Sequence, residues 1–412
     1  MDKCKYLYLC ISPYDKGVYQ TQVIDWLNLY REHGLEFELT QLWTTNPFDR
    51  SRRKFQSNQN ELIMAAYDGP FQAWSLFPRT FGLDFFDRFI FLFKIAKYLR
   101  RYEKVVLFCR YNAGFIYSFI NKFFPGRVFY YADLRGASSE EYMDKLSFNK
   151  CFSKKAYRKI ADYYYNSYVS QINATKIFAV SNALIRYYVH LFDANIKKFV
   201  LYPCLSTTSK FFYDESIRNS VRREMGLTED NVVFVYTGSL DASYNCVEAI
   251  VALFSKVYDS NSKAKLLIIA KKVTDSFNVL MNAYPKVKSA LVILESIPNQ
   301  DMVKYLNASD FALLLRENIV LNNVSSPVKF AEFQLCGLPV IISESVYDYA
   351  SYCKKNCTGF VLSNEALEKM NFDEVACINR QDYNRQEIAR LGADHLSKES
   401  HVNRIINELM ID

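Results

Sequence analysis

Histidine is scarce in this chain. The four present among 412 residues, His33, His190, His395 and His401, form no ligand-spaced cluster, so a structural zinc site is not expected. Ten cysteines run from Cys4 to Cys377 without a Cys-x-x-Cys pair, the nearest approach being Cys353 to Cys357. That spacing predicts reduced, mostly buried thiols rather than disulfides or a metal centre. No stretch approaches the roughly 18 consecutive apolar residues that a membrane-spanning helix needs. The opening Met-Asp-Lys-Cys-Lys leads into a strand without a signal-peptide pattern, which sets the expectation of a cytoplasmic location. Repeats and low-complexity tracts are also missing.

What is present is a globular composition, 50% apolar and 23% charged, in a chain long enough for two domains with separate cores. Charge divides unevenly between the halves. Residues 1–205 carry 29 Lys and Arg against 18 Asp and Glu, a balance of +11, whereas the remainder is at −4. An excess of that size in one half points to an anionic partner there, whether phosphates, an acidic membrane surface or nucleic acid.

Apolar runs that read as strands alternate with helical patterns throughout, which predicts an α/β architecture. Lys5–Ile11 reads as the first strand and Val18–His33 as a helix ending at Gly34; between them a loop with the single glycine Gly17 opens a doubly wound domain. Further strands are expected at Glu36–Leu42, Lys104–Cys109, Arg127–Tyr131, Lys176–Val180 and Phe199–Cys204. Basic residues cluster at Arg50, Arg52, Arg53 and Lys54. Residues 84–102 form a strongly apolar helix with Lys97, Arg100 and Arg101 at its end, suiting either a buried helix whose cations face the negative pole of its dipole or a contact with a membrane surface. After the strand ending at Tyr131 comes Asp133-Leu134-Arg135-Gly136. Charged groups on a loop beyond an apolar strand suit a site facing the crevice, and a local ion pair is the alternative. A long helix is expected over 139–172.

A second opening of the same kind follows a linker at Pro203–Phe212: the strand Val232–Tyr236 runs into Thr237-Gly238-Ser239. The next strand, Lys265–Ala270, ends at Lys271-Lys272, and Asp310–Leu315 leads to Arg316. The most informative stretch is Asn322–Ile342. Ser325 and Ser326 are candidate N-caps, Pro327 suits the first helical position, and Gly337 with Pro339 marks the far end before the strand Val340–Ile342. A helix begun in this way offers backbone N–H groups, here at Val324, Ser325 and Ser326, and a partial positive charge to a phosphate. Lys329 lies in its first turn. Glu332 falls roughly 7.5 Å along the axis, at 1.5 Å per residue, a spacing that fits a diphosphate at the helix tip and ribose hydroxyls further in.

Ser-Ser-Pro-Val-Lys-Phe-Ala-Glu-Phe, continuing into Cys-Gly-Leu-Pro-Val-Ile, resembles the donor-binding signature of family 4 (group 1) glycosyltransferases of bacterial polysaccharide biosynthesis. The resemblance covers most of residues 230–362 and, loosely, the first half. It implies the GT-B fold, two Rossmann-like doubly wound domains facing across a cleft, here 1–205 on the acceptor side and 206–385 on the nucleotide-sugar side, with a helical segment 386–412 packing back toward the first. It implies a nucleotide-diphosphate sugar as donor, a glycan or lipid-linked acceptor, and transfer with retention and without a metal. An anionic membrane surface at the inner face is a further expected partner, and nucleic acid is not. Asp133, Arg135, Arg316 and Lys329 are the implied catalytic residues. Gly17, Gly238, Ser239, Lys271, Lys272, Val324, Ser325, Ser326 and Glu332 are the implied donor-binding residues. Two departures stand out: Val324 occupies the place of a first glutamate, and Ser239 follows Gly238 where a basic residue is common. A sugar-nucleotide epimerase or a non-catalytic membrane or scaffold module on the same fold are the alternatives.

Overall fold

The computed structural model of the chain describes residues 2–44, 49–77, 83–148, 153–241 and 245–411. They form two units, residues 1–203 with 402–412, and residues 204–401.

Seven parallel strands make the sheet of the first unit: β1 (Asp2–Cys10), β2 (Phe37–Thr44), β3 (Phe71–Leu76), β4 (Tyr102–Cys109), β5 (Val128–Leu134), β6 (Lys176–Ala179) and β7 (Phe199–Leu201), in the order β3-β2-β1-β4-β5-β6-β7. Strand pairs that are parallel and buried on both faces need near-continuous apolar runs, and Val-Val-Leu-Phe-Cys in β4 supplies one. Aromatic side chains fill much of this core. The rings of Phe108 and Phe178 are 4.9 Å apart, and Tyr8 meets Phe108 at 5.1 Å. The unit is closed by residues from the far end of the chain: Lys176 Nζ pairs with the Glu408 carboxylate at 2.9 Å, and Arg404 donates to the Leu201 carbonyl at 2.9 Å.

The second unit contains β8 (Val232–Thr237), β9 (Ala264–Ala270), β10 (Leu291–Glu295), β11 (Phe311–Leu314), β12 (Val340–Ser343) and β13 (Gly359–Leu362), all parallel, in the order β10-β9-β8-β11-β12-β13. Both sheets therefore have the doubly wound order, reversing between their first and fourth strands. Just before β11, Asp310 is almost fully buried and is matched by three arginines, Arg218 at 2.6 Å, Arg222 at 3.2 Å and Arg380 at 3.7 Å, while its carboxylate also accepts the Val233 N–H. Helix Arg385–Leu396 packs on helix Val328–Leu335. Its first residue, Arg385, donates to the carbonyls of Cys336, Gly337, Asn307 and Ser309, which end two helices of the unit.

Several elements differ from their sequence expectation. β3, Phe-Gln-Ala-Trp-Ser-Leu, is mixed in pattern, and neither it nor the apolar run of β10 was expected as a strand. The helix expected over 139–172 is two helices, Ser138–Phe148 and Lys154–Asn173. Arg385–Leu396 lies in the second unit, and the return to the first begins at Val402. The apolar helix is Asp87–Leu99, and it is not buried: Phe91, Ile95 and Leu99 face the core, whereas Phe89 and Phe93 face solvent. All described cysteines are free thiols, most of them buried.

Candidate functional site

Strands β8 and β11 are the neighbours at which the second sheet reverses, and the space beyond the carboxyl ends of such strands is where an open α/β sheet receives a ligand. Three segments supply it: Thr237-Gly238-Ser239 after β8, Arg316 after β11, and helix Val328–Leu335 leading into β12.

Lys329, in the first turn of that helix, donates from Nζ to the Thr237 carbonyl at 2.5 Å. It passes over Gly238, where a side chain would meet both Nζ and the Tyr236 hydroxyl. The Tyr236 hydroxyl and the Asn245 amide both donate to the Ser239 carbonyl, at 2.7 and 2.8 Å, and so hold this loop in shape. Asn245 in turn accepts from the Arg316 guanidinium. Arg316 is fixed through its backbone, its N–H donating to Ser343 Oγ at 2.8 Å and its carbonyl accepting from Ser345 Oγ at 2.7 Å. The Thr237 carbonyl and the Asn245 amide thus hold two cationic side chains at one strand-end crevice.

Their electrostatics bear this out. Burial, helped by the like charge of Arg316, pulls the Lys329 ammonium down to about 8, against the opposing pull of Glu332. Glu332 is 7% exposed, and burial pushes its carboxyl up to about 7, with Lys329, Lys398 and Lys210 pulling the other way. An arriving anion would relieve the Lys329–Arg316 repulsion and restore the ammonium's ordinary basicity.

Other expected contacts are corrected. The Val324 N–H donates to the Val320 carbonyl and the Ser325 N–H to the Asn322 carbonyl, each at 3.1 Å, so both are spent within the preceding turn. Ser326 Oγ accepts the Cys204 N–H at 3.0 Å and meets the Tyr349 hydroxyl at 2.8 Å, which makes its side chain a packing joint and leaves the expected phosphate contact to its N–H alone. Pro327 has an extended ψ of 118° and is the N-cap, so the helix starts one residue later than its capping pattern predicts. Ser239 is exposed and contributes through its carbonyl, while Lys271 and Lys272 are exposed beyond β9 without a described side-chain contact to Lys329 or Arg316.

In the first unit, Asp133 accepts from the Tyr8 hydroxyl at 2.6 Å and pairs with Arg135 Nε at 2.6 Å, its side chain 0% exposed. The Arg135 guanidinium lies 4.4 Å over the Tyr202 ring. The carboxylate is thus already engaged on both oxygens, and the expected acceptor contact at Asp133 gives way to an internal ion pair that positions Arg135. Gly17 is corrected as well. The Asp15 carboxylate accepts the N–H groups of Gly17, Val18 and Tyr19 at 2.8, 2.6 and 3.3 Å, so the protein's own anion fills the place a phosphate would take.

Thr237, Tyr236, Asn245, Ser343 and Ser345 were not legible in these roles, because each acts through one or two polar atoms in an unremarkable context. Among the described residues no group of three His, Cys, Asp or Glu side chains is placed to hold a metal ion.

No family model matches the chain, and no curated protein matches it in sequence. Solved structures do match it along its length. HepE of Anabaena, in complex with UDP and glucose, is 12% identical with a TM-score of 0.64, over 98% of this chain and 99% of that one. Sucrose-phosphate synthase of Thermosynechococcus elongatus is 12% identical with a TM-score of 0.65, over 99% and 98%. WaaG, a glycosyltransferase involved in lipopolysaccharide biosynthesis, is 15% identical with a TM-score of 0.61, over 99% and 100%. At these identities the likeness is one of fold, and the fold is GT-B.

Proposed function

We propose that the chain is a glycosyltransferase that moves a sugar from a nucleoside-diphosphate donor, bound at the strand-end crevice of the second sheet, to a glycan or lipid-linked acceptor. The observation that carries this reading is the convergence of Lys329 and Arg316 beside Gly238, where the Thr237 carbonyl and the Asn245 amide hold them. A cationic pair of this kind opposes the charge that grows on a departing diphosphate, which is the charge that matters in the transition state. HepE, a protein of the same fold, has been solved with UDP and with UDP-glucose, and a uridine nucleotide is the first donor to test.

In the proposed reaction the bond from the anomeric carbon to the diphosphate oxygen breaks and a bond from that carbon to the acceptor hydroxyl oxygen forms. The hydroxyl proton goes to the departing diphosphate, so no dedicated protein base is required. Configuration is retained, and the two cations take the place of a metal. Glu332 orients the ribose through its hydroxyls.

The same reading takes the first unit to an anionic membrane surface. Arg50, Arg52, Arg53 and Lys54 are exposed at the start of helix Arg50–Ala66, and among the described residues no helix is long and apolar enough to cross a bilayer. Peripheral attachment through these cations is the form of contact that fits.

Incubating the purified chain with a panel of sugar nucleotides, with and without a lipid extract, and measuring released nucleotide tests the proposal. Release that depends on acceptor supports it. Conversion of the donor sugar with no nucleotide released would favour an epimerase, with Lys329 and Glu332, both shifted toward neutrality, as its acid and base.

A further inference from the structure

The first unit contains a cavity of about 630 Å3 that the donor site does not use. It lies at the carboxyl ends of β1 to β4, where Ile11, Thr44, Phe77 and Tyr111 contribute to its wall, and its size falls within the range of small-molecule sites. Part of the wall is suited to hydroxyl groups, with the amides of Asn112 and Asn166 and the phenols of Tyr111 and Tyr163. Part is aromatic, with Phe77, Phe85 and Phe115. Its charges are balanced, Arg88 and Lys159 against Asp87 and Asp162, and Asp87 is already engaged by the Phe77 N–H at 2.8 Å. Such a wall selects a neutral polyol over a strongly anionic head.

Phe85 belongs both to this wall and to the surface, being 51% exposed. From it a line of touching rings leads away: Phe85 to Phe89 at 5.8 Å, Phe89 to Phe119 at 5.4 Å, and Phe119 to Phe123 at 5.2 Å. Phe93, one helical turn beyond Phe89, is 73% exposed. Single exposed apolar residues are ordinary on a protein surface, but a contiguous aromatic track is not, and it marks a binding surface.

We infer that the cavity and the phenylalanine track are one site for an amphiphile, with a polyhydroxylated head in the cavity and an apolar chain along Phe85, Phe89 and Phe119. The inference rests on the glycosyltransferase reading and narrows it: the acceptor is a glycolipid, not a soluble glycan. Contiguity is the argument. A site for a soluble sugar has no use for an apolar path leading out of it, and a surface that only touches a membrane has no use for an amide-lined cavity at its end.

Octyl β-glucoside below its micelle concentration is the probe, compared with glucose by ligand-observed NMR on the full chain, with nucleoside diphosphates titrated in parallel. Octyl glucoside should bind saturably and roughly tenfold more tightly than glucose, the gain expected from burying about two methylenes. The double variant Phe89→Ser, Phe93→Ser, altered at exposed positions, should lose that advantage while keeping its melting temperature and its nucleotide affinity. Asn112→Ala with Asn166→Ala should weaken both probes together.

Equal binding of the two probes overturns the inference, as does an octyl advantage that survives in the phenylalanine variant. So does a phenylalanine variant altered only in vesicle binding or in particle size, because the track is then a membrane or self-association face. Absence of nucleotide binding in the unaltered chain overturns the glycosyltransferase reading, and with it the acceptor role, whatever octyl glucoside does.

Discussion

The Lys329 ammonium lies so close over Gly238 that a methyl group built on the glycine would stand 2.8 Å from Nζ and 2.7 Å from the Tyr236 hydroxyl. Both obstructing atoms are the ends of side chains, but Gly238 has a φ of 157°, where an L side chain is strained, so Gly238→Ala should displace the cation and also cost some stability. We expect nucleotide affinity to fall roughly tenfold, the loss of one charge-assisted hydrogen bond, with a modestly lowered thermal melt. Calorimetric titration beside a melting curve checks both, and undiminished affinity would remove Lys329 from the donor site.

Lys329 also predicts a proton signature. Its ammonium is held down at about 8 in the unliganded protein, and a bound diphosphate would raise it. Nucleotide binding near pH 8 should therefore take up protons, seen as a binding heat that varies with the ionisation enthalpy of the buffer. Lys329→Met should abolish the dependence, and a wild-type heat that does not vary with the buffer would contradict the assignment.

For Glu332 the sign runs the other way. Its carboxyl is raised from 4.5 to about 7, so between those values the folded chain binds more protons than the unfolded one. Glu332 thus lowers stability as pH rises through that window. Glu332→Gln should match the wild type at its acid end and be the more stable at its upper end, measured as a urea midpoint. Nucleotide affinity should still weaken by about 1–3 kcal/mol, the scale of a hydrogen bond to a charged group. A variant that binds nucleotide normally would discard the ribose contact.

Asp133→Asn separates an internal pair from a catalytic one. Removing the anion beside the buried Arg135 guanidinium should cost about 3 kcal/mol of stability or more, with nucleotide affinity unaltered. Normal stability with lost turnover would return Asp133 to the reacting groups.

Vesicle sedimentation tests the membrane contact. Each exposed cation near an anionic surface contributes about 1 kcal/mol, so reversing the charges of Arg52, Arg53 and Lys54 should release the chain from anionic vesicles. Zwitterionic vesicles should not bind it, and salt should weaken the contact. No sedimentation with anionic vesicles at low salt would end this part of the proposal.

Strand and helix patterning made the two doubly wound sheets legible in the sequence, because apolar runs such as Val232–Tyr236 and Val340–Ile342 have few other uses. The places of Gly238, Arg316, Lys329 and Glu332, at strand ends or in the first turns of one helix, were legible because such places follow directly from spacing. The backbone donors were not. Whether the Ser325 N–H faces a ligand depends on the turn before it, and a turn closing on Asn322 leaves no pattern in the residues. Asp15 hid the fate of Gly17 in the same way, since an acidic residue in a loop does not show which N–H groups its carboxylate will accept. The cavity of the first unit was beyond reach because it draws on four strand ends and three helices at once.

Residues 402–411 belong to the first unit, and Glu408 and Arg404 bind to Lys176 and Leu201. During synthesis those contacts must wait until all of residues 204–401 have left the ribosome. The first sheet can assemble early, but it stays open at β6 and β7 while the whole second unit is made. Contacts of such sequence separation form late and slowly, and the interval leaves exposed apolar surface for a chaperone or for aggregation. A chain stopped before Arg404 should thus reveal its defect first in the unit that was made first.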